Sequence, residues 1–465
     1  MCDGIAAELE GIDLGDERLN KRSQRIIEAL AADPQASVNA ACDGWSDTIA
    51  AYRFFDNEAV RPEQILQPHL DATKQRMKEH PVVLILQDTT ELDFTAHPPA
   101  DAGCLNKEDR FGLFDHTHLA VTPERLPLGV VGAEQFDRTP ESLGKTDERT
   151  TLPIEEKESF RWLTGYRLAA ELSGECPETQ VVSVADREAD IYDIFVEAAE
   201  HATPADYVIR ALRERSTPQR DPASGEAAYR KVRDEVRASE VRATRTIHLP
   251  QTPKRAARQA ELEIRAIEVT LKPPHARPHL PAITFNVVLV DEVGGPGDGT
   301  DVSWLLLTTL PIATVEDILL VIDYYAARWT IEVFFRTLKT GCRVEKIQLE
   351  EMDRVKTCLA FYKIIAWRVL WLTHLGRACP SLPCTAVFDE CEWKSVWRVT
   401  TKEELPETPP PLSEFVPLLA RLGGYNNRRG DSPPGPQAIW TGIRRMTDFA
   451  IAWLNFGPEK HATYV

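Results

Sequence analysis

Two short apolar runs, each leading into an aspartate, constrain the fold of this chain more than any other feature. The first, Pro81-Val-Val-Leu-Ile-Leu-Gln, leads to Asp88, and the second, Thr179-Gln-Val-Val-Ser-Val-Ala, leads to Asp186. A continuous apolar run of this length, ending at a polar residue, predicts a buried central strand. A helical pattern begins directly after Asp186. Strands and helices therefore alternate, and the predicted class is α/β.

The stretch from Tyr325 to Lys339 is predicted to be a helix with two different faces. At 100° per residue, Tyr325, Arg328, Glu332 and Lys339 fall within an arc of about 60°, and Trp329 lies beside it. The opposite face is apolar, as expected for a side that packs on a core: Ile331, Phe334 and Leu338. Two interpretations remain open. The polar face is either a solvated surface with an Arg328–Glu332 ion pair, or a metal-binding carboxylate flanked by cations and an aromatic ring.

Three carboxylates in this pattern suggest a site for divalent cations. A single aspartate at the end of a strand usually belongs to a turn or caps a helix. Two of them, Asp88 and Asp186, joined by Glu332 on a helix, can instead hold two ions about 4 Å apart, which activate an attacking oxygen and stabilise the leaving oxygen of a phosphodiester. Oxygen ligands of this kind suit Mg²⁺ or Mn²⁺.

The distribution of charge along the chain matters more than its total. A net charge of −18 by itself argues against a nucleic-acid partner. Between Tyr207 and Leu280, however, sixteen Lys or Arg residues stand against nine Asp or Glu. The same segment alternates polar and apolar residues, which predicts antiparallel strands with one wet face. This segment is therefore a candidate surface for a polyanion.

A second basic feature is a ridge on a helix predicted from Leu14 to about Leu30. Its members stand at helical spacings: Arg18, Lys21, Arg22 and Arg25. The ridge suits DNA, but basic side chains that lie along the wet face of an ordinary helical bundle give the same pattern. The sequence leaves both interpretations open.

Composition indicates a soluble protein with reduced thiols. The chain is 43% hydrophobic and 27% charged, no apolar run approaches the roughly 18 residues of a membrane span, and the first residues lack the pattern of a signal peptide. The nine cysteines include no CxxC pair. The spacing of Cys379, Cys384 and Cys391 matches no zinc module. We expect a cytoplasmic location.

These motifs resemble those of a known family. The spacing Tyr-x2-Arg-x3-Glu-x6-Lys is met in full from Tyr325 to Lys339, and Asp186-Arg-Glu-Ala-Asp-Ile and Gln87-Asp-Thr-Thr match further motifs. The chain resembles the bacterial insertion-sequence transposases of the DDE class, which carry this Y-R-E-K signature and move DNA by cut and paste. The resemblance implies an α/β fold with an RNase H-like (retroviral integrase-like) core, a β-strand insertion, an N-terminal helical DNA-binding domain and a C-terminal helical region.

The resemblance also implies roles for individual residues. Asp88, Asp186 and Glu332 would be the catalytic residues and the ligands of two Mg²⁺ ions, with Mn²⁺ as a substitute. The implied DNA-binding residues are Tyr325, Arg328 and Lys339 on phosphates near the cleaved end, Trp304 and Trp329 at a base flipped from that end, Arg210 at the start of the basic segment, and the ridge of Arg18, Lys21, Arg22 and Arg25.

Domains and partners follow from the same resemblance. The implied domains are a helical domain that binds the transposon end (1–75), two parts of the core (76–211 and 301–375), a basic antiparallel β insertion (212–300) and a helical dimerisation region (376–465). The implied partners are double-stranded DNA, as terminal inverted repeats and as target, and a second copy of the chain in a synaptic homodimer. The expected reaction is cleavage and strand transfer through a hairpin intermediate.

Two other functions are compatible with parts of the pattern. A DNA-binding protein without catalysis, such as an inhibitor or a domesticated derivative, would explain the basic surfaces but not the complete set of carboxylates. A glycan hydrolase with paired carboxylates would leave the cationic helix face and the basic segment unexplained.

Overall fold

The structure is a computed structural model, and it describes residues 4–144, 152–220, 227–249, 251, 255–275 and 277–458. The chain divides into two compact units. The first comprises Met1–Arg76, Thr89–Lys145 and Thr330–Val465, and the second comprises Met77–Asp88 and Thr146–Trp329.

Strands and helices of the described residues are numbered in chain order. The strands are β1 (Val82–Asp93), β2 (Gly112–Val121), β3 (Pro127–Phe136), β4 (Gln180–Ala185), β5 (Asp206–Arg210), β6 (Ser216–Arg220), β7 (Ala227–Lys231), β8 (Ala243–Leu249), β9 (Arg258–Leu271), β10 (Ile283–Glu292) and β11 (Ser303–Thr308). The helices are α1 (Glu17–Ala32), α2 (Val38–Ala41), α3 (Trp45–Phe55), α4 (Pro62–Lys78), α5 (Phe160–Glu175), α6 (Tyr192–Glu200), α7 (Val232–Arg237), α8 (Val315–Ala327), α9 (Trp329–Arg336), α10 (Met352–Ala378), α11 (Glu390–Thr401), α12 (Leu412–Leu422) and α13 (Pro436–Phe456).

The second unit is built on a mixed sheet with the strand order β1-β4-β5-β11-β10-β9-β8. β1, β4 and β5 are parallel, and the strands from β11 to β8 continue antiparallel. The residues from Val83 to Leu86 are fully buried, as are Val182 and Val184 in β4. Parallel strands that are covered on both faces are apolar without alternation, which is why the two apolar runs predicted these strands.

β1 is longer than its apolar run predicted. The predicted strand ends near Asp88, whereas β1 continues to Asp93. Its last residues belong to the first unit with the β2–β3 hairpin, where Thr89 Oγ1 and His116 Nδ1 lie 2.9 Å apart in a hydrogen bond. The polar end of β1 stays in the sheet because the neighbouring strand, β2, satisfies its backbone hydrogen bonds. Asp88 therefore lies within the strand and not at its end.

Three strands of the segment 212–300 continue the sheet of the second unit. β10 pairs with β11, β9 with β10, and β8 with β9, whereas β6 and β7 form a separate two-stranded sheet. In β9 the side chains of Ala260, Leu262, Ile264 and Ala266 are buried and the residues between them are more exposed. This alternation confirms the prediction of antiparallel strands with one wet face.

α10 is the central helix of the first unit. It packs against β3, α12 and α13, and most of its side chains are buried. By length and composition it is apolar enough to cross a membrane, but 83% of its most apolar window is buried inside the protein. The fully buried Lys363 donates to Asp115 of β2 at 2.6 Å, since a charge in a core needs an opposite charge.

A buried ionic network fastens the N-terminal segment to α4. Glu8, on the short 3₁₀ helix Ile5–Leu9, accepts from Arg76 Nη1 at 2.9 Å and bonds His69 Nδ1 at 2.5 Å. The backbone N–H of Val130 donates to His69 Nε2 at 3.0 Å, so the proton of this ring lies on Nδ1. Burial raises the pKa of Glu8, but the hydrogen bonds from His69 and Arg76 and the charge of Arg76 outweigh it and bring the pKa down to about 2.

Replacing Glu8 by Gln is expected to remove part of the acid sensitivity of the fold. Because the folded pKa lies below the ordinary value of 4.5, the carboxylate stabilises the fold above pH 4.5, and this contribution is lost as the pH falls toward 2. It amounts to about 3 kcal/mol. Between pH 7 and pH 3, the melting temperature of the wild type should fall more steeply than that of Glu8→Gln. Glu10→Gln is the matched control, and its melting temperature should depend on pH as that of the wild type does. If the melting temperature of Glu8→Gln also fell with pH as in the wild type, the lowered pKa of Glu8 would be contradicted.

Candidate active site

Two of the predicted catalytic residues lie side by side in the second unit. β1 and β4 pair in parallel up to Leu86↔Val184, and the same register brings Asp88 level with Asp186. Neighbouring strands are about 4.8 Å apart, and level residues of parallel strands point to the same face. Continued by two residues, the register predicts that the carboxylates of Asp88, within β1, and Asp186, directly after β4, lie on one side of the sheet.

Each aspartate is held in place by a different kind of donor. Arg328 Nη1 donates to Asp88 Oδ2 at 2.8 Å, and the two side chains are 14% and 18% exposed. The carboxylate of Asp186 accepts from the backbone N–H of Glu188 at 2.8 Å and caps the 3₁₀ turn that follows. Neither sequence interpretation of Arg328 included Asp88 as its partner.

The predicted helix from Tyr325 to Lys339 departs from regular geometry twice. Arg328 separates α8 from α9 but keeps helical dihedral angles, φ −51° and ψ −34°. Lys339 lies in a π-helical turn, Thr337–Gly341, which follows α9. A π turn contains more residues than an α turn, so Lys339 does not occupy the angular position predicted for it. The apolar face is confirmed, since its three members are fully buried: Ile331, Phe334 and Leu338.

Aromatic side chains lie at the start of β11 and on α8. The rings of Trp304 and Tyr325 are 5.1 Å apart and meet edge to face at 70°. Tyr325 is only 6% exposed, whereas Trp304 is half-buried and Trp329 is 61% exposed. Arg210, at the end of β5, donates from Nη2 to the carbonyl oxygen of Ser303 at 3.1 Å. Trp304 therefore leaves part of its ring accessible in the second unit.

The other two signature residues belong to the first unit. Glu332 is half-buried in the first turn of α9. Lys339 Nζ donates to the carbonyl oxygen of Glu91 at 2.8 Å and forms an ion pair with Glu345 at 3.4 Å. The ammonium is thus held against the polar end of β1.

The basic ridge of α1 makes ion pairs within its own domain. Arg18 is paired with Asp16 at 2.7 Å, Lys21 with Glu17 at 3.3 Å, and Arg22 with Asp47 of α3 at 2.9 Å. Arg25 is exposed. Arg22 therefore joins two helices, and the role of the ridge in DNA binding stays a prediction.

Asp190 is a structural residue that the sequence reasoning did not single out. Its side chain is fully buried, and its Oδ2 accepts from the backbone N–H groups of Leu212 at 2.9 Å and Arg213 at 2.7 Å. It also forms an ion pair with Arg215. Asp190 thereby fixes the chain between β5 and β6. The signal was present in the Asp186-Arg-Glu-Ala-Asp run, whose second aspartate follows at a spacing of four.

Asp88 and Asp186 have the chemistry that a divalent cation requires. Both offer hard oxygen donors from adjacent strands, which suit Mg²⁺ and Mn²⁺. In the part of the chain that the structure describes, no group of three or more His, Cys, Asp or Glu side chains is assembled as a metal site. Arg328 supplies the positive charge beside Asp88, so a cation that binds Asp88 competes with this guanidinium.

Sequence families match three parts of the chain. A transposase DNA-binding family matches residues 1–60, a transposase DDE-domain family matches residues 166–367, and the Tn5 transposase dimerisation-domain family matches residues 364–453. A solved structure, described as the cryo-EM structure of a piggyBac transposase synaptic complex with hairpin DNA, is similar over 96% of this chain and 74% of that chain, with 10% identity and a TM-score of 0.33. At that score the likeness adds nothing to the assignment.

A DNA-binding domain, a DDE catalytic domain and a dimerisation domain in one chain define a DNA transposase. The chain belongs to the DDE insertion-sequence transposases of the Tn5 type. It has an RNase H-like core, cleaves DNA and transfers strands with divalent metal, binds DNA and forms dimers. The glycan-hydrolase alternative is thereby excluded.

Replacing Arg328 by Gln is expected to strengthen the binding of Mn²⁺ to the protein without DNA, because the guanidinium no longer competes for Asp88. An ion pair with this exposure is worth about 1 kcal/mol, so the affinity should rise about fivefold. Electron paramagnetic resonance of free Mn²⁺ measures the change. Arg336→Gln, on the exposed side of α9, is the control. Equal affinities in the wild type and both variants would rule out the competition.

Proposed function

We propose that this transposase cuts at the terminal inverted repeats of its own element and joins the freed ends to target DNA, with Asp88, Asp186 and Glu332 as the catalytic residues. The observation that carries the proposal is the register of β1 and β4, which makes Asp88 and Asp186 level. Glu332 completes the set through its place in the Y-R-E-K signature.

Two Mg²⁺ ions, replaceable by Mn²⁺, are the proposed cofactors, and when bound they supply an activated oxygen and charge for the leaving oxygen. The protein's own side chains hold the substrate. Arg328 and Lys339 bind phosphates near the cut, and Tyr325, packed against Trp304, supports the aromatic surface. Arg328 exchanges Asp88 for a phosphate when DNA arrives, since a guanidinium binds either anion.

We further propose that the freed 3′-hydroxyl attacks a phosphodiester of the opposite strand, which releases the flanking DNA and closes a hairpin, and that water reopens the hairpin to restore the 3′-hydroxyl before strand transfer. This reaction requires the last nucleotides to leave the stack. Trp304 suits the extruded base because its ring is braced on one side by Tyr325 and is accessible elsewhere. Trp329, which is largely exposed, lies on the same signature segment and is assigned to the same base.

The proposed assembly is a synaptic homodimer on two DNA ends in the bacterial cytoplasm, where its DNA substrate lies. The dimerisation family covers residues 364–453. In this region and just beyond it, α13 exposes three large apolar side chains: Ile451, Leu454 and Phe456. Such side chains on the last turns of a helix are suited to contact with a second copy.

Substitution of the three carboxylates tests the proposed site. Asp88→Asn, Asp186→Asn and Glu332→Gln should each reduce cleavage of a terminal-repeat duplex by about a thousandfold or more, because metal ligands are lost, and should leave binding of the same duplex in EDTA within about twofold. The duplex is taken from the DNA that flanks the gene. Glu316→Gln, exposed in the first turn of α8, is the control. Cleavage by Glu332→Gln at the wild-type rate would refute the assignment and favour a DNA-binding protein without catalysis.

Substitution of Trp304 separates hairpin formation from the first nick. Stacking of a base on an aromatic ring is worth roughly 1–3 kcal/mol, so Trp304→Ala should slow hairpin formation about tenfold or more. Nicking should proceed at the wild-type rate. Trp304→Phe, which retains a stacking face, should recover most of the loss. Denaturing gels of an end-labelled duplex report both steps, and a parallel loss of nicking and hairpin formation would contradict the role.

A further inference from the structure

Three guanidinium groups meet at the start of β11. Arg233 of α7 donates from Nη1 to Ser303 Oγ at 2.9 Å, and Arg210 donates from Nη2 to the carbonyl oxygen of Ser303 at 3.1 Å. Arg237, one turn further along α7, donates from Nε to Asp291 Oδ2 at 2.9 Å. Ser303 Oγ in turn donates to Asp291 Oδ1 at 2.7 Å. We call these three arginines the β11 cluster.

The three arginines of the β11 cluster have one carboxylate among them, whereas several other basic side chains of the 207–280 segment have one each. Six other basic side chains of this segment each form an ion pair with a carboxylate of their own: Arg215 with Asp190, Lys231 with Glu214, Arg245 with Asp323, Arg258 with Glu292, Arg265 with Glu263 and Arg277 with Asp193. In the β11 cluster, Arg233 and Arg237 share the single carboxylate of Asp291. Arg210 bonds a neutral carbonyl group.

This excess of charge has a cost that an anion would relieve. Burial lowers the pKa of the Arg233 guanidinium, and the neighbouring charges of Arg237 and Arg210 lower it further, against the opposing effects of Asp291 and Glu214. Like charges held close together in a partly buried site destabilise one another. A phosphate that enters the cluster would restore the balance.

Donors remain available for such a phosphate. The side chain of Arg237 is 50% exposed and that of Arg233 is 27% exposed. A guanidinium has five N–H groups arranged to bind phosphate oxygens in pairs. The described contacts of Arg233 and Arg237 use only a part of them.

The β11 cluster also lies next to the proposed base-stacking residue. Ser303 directly precedes Trp304, and the pairing Asp291↔Ser303 is adjacent to Val290↔Trp304 in the β10–β11 ladder. Successive residues of a strand project to opposite faces, so the cluster and the indole ring flank the same end of β11. A DNA end that lies across the start of β11 has the indole ring of Trp304 on one side of the strand and the three arginines on the other, so a base and a backbone phosphate of the same end are within reach of both.

We propose that the β11 cluster is a binding site for a backbone phosphate of the DNA end, in which Arg233 and Arg237 of α7 act together with Arg210. The proposal rests on the proposed function, because it takes the ligand to be the DNA that the transposase cuts. It adds two residues of the insertion that the signature motifs do not include.

Binding of a terminal-repeat duplex to the full-length protein in EDTA tests the proposal. Arg233→Gln and Arg237→Gln should each weaken binding about five- to tenfold, and the slope of log K against log salt should fall by roughly 0.9 for the lost phosphate contact. In ethylation-interference experiments, the signal at one phosphate should disappear, and it should be the same phosphate in both variants. Arg245→Gln, whose residue is paired with Asp323, is the control and should retain the interference pattern. Wild-type affinity and slope in both cluster variants would refute the site.

Asp291→Asn distinguishes phosphate binding from a purely structural role. If the cluster binds phosphate, removal of the competing carboxylate should tighten DNA binding about threefold. If the arginines only hold β10 and β11 against α7, Asp291→Asn should lower the melting temperature, and the DNA affinity should fall or stay unchanged. That result would overturn the proposal. Because all these measurements are made without metal, they do not depend on cleavage. Failure of the catalytic assignment appears separately, in the cleavage assay of the triad variants.

Discussion

Parallel pairing of β1 with β4 is the interaction on which the site of this transposase depends. It brings two aspartates that are 98 residues apart in sequence to the same level of one sheet. A slip of one residue would turn one carboxylate to the opposite face. The register is held because Val83, Leu84, Ile85 and Leu86 are all fully buried. The apolar half of β1 therefore positions Asp88, which follows it.

The neighbouring carboxylates of Asp88 and Asp186 repel one another. A cation from a distant segment of the chain reduces this repulsion. Arg328 reaches Asp88 from the junction of α8 and α9. The same residue belongs to the signature that links Tyr325 to Lys339. A guanidinium can bind a carboxylate before the substrate arrives and a phosphate afterwards. In the proposed mechanism, DNA binding therefore releases Asp88 from its ion pair with Arg328.

An acidic chain with a DNA substrate is less contradictory than its net charge of −18 suggests. Binding depends on the local field, not on the total charge. Several cations of the 207–280 segment are paired with carboxylates of the same unit, including Asp190, Asp291 and Asp323. Arginines in excess of their carboxylates, such as those beside Ser303, then mark where an anion is favoured.

The sequence by itself determined the α/β class, the buried strands before the two aspartates and the apolar face opposite the signature residues, because these depend on local periodicity and burial. Only the tertiary structure decided the partner of Arg328, since Asp88 lies 240 residues away. It also decided the length of β1, the burial of Asp190 and the π turn at Lys339. Each of these depends on which distant groups satisfy a charge or a backbone hydrogen bond, and local sequence does not contain that information.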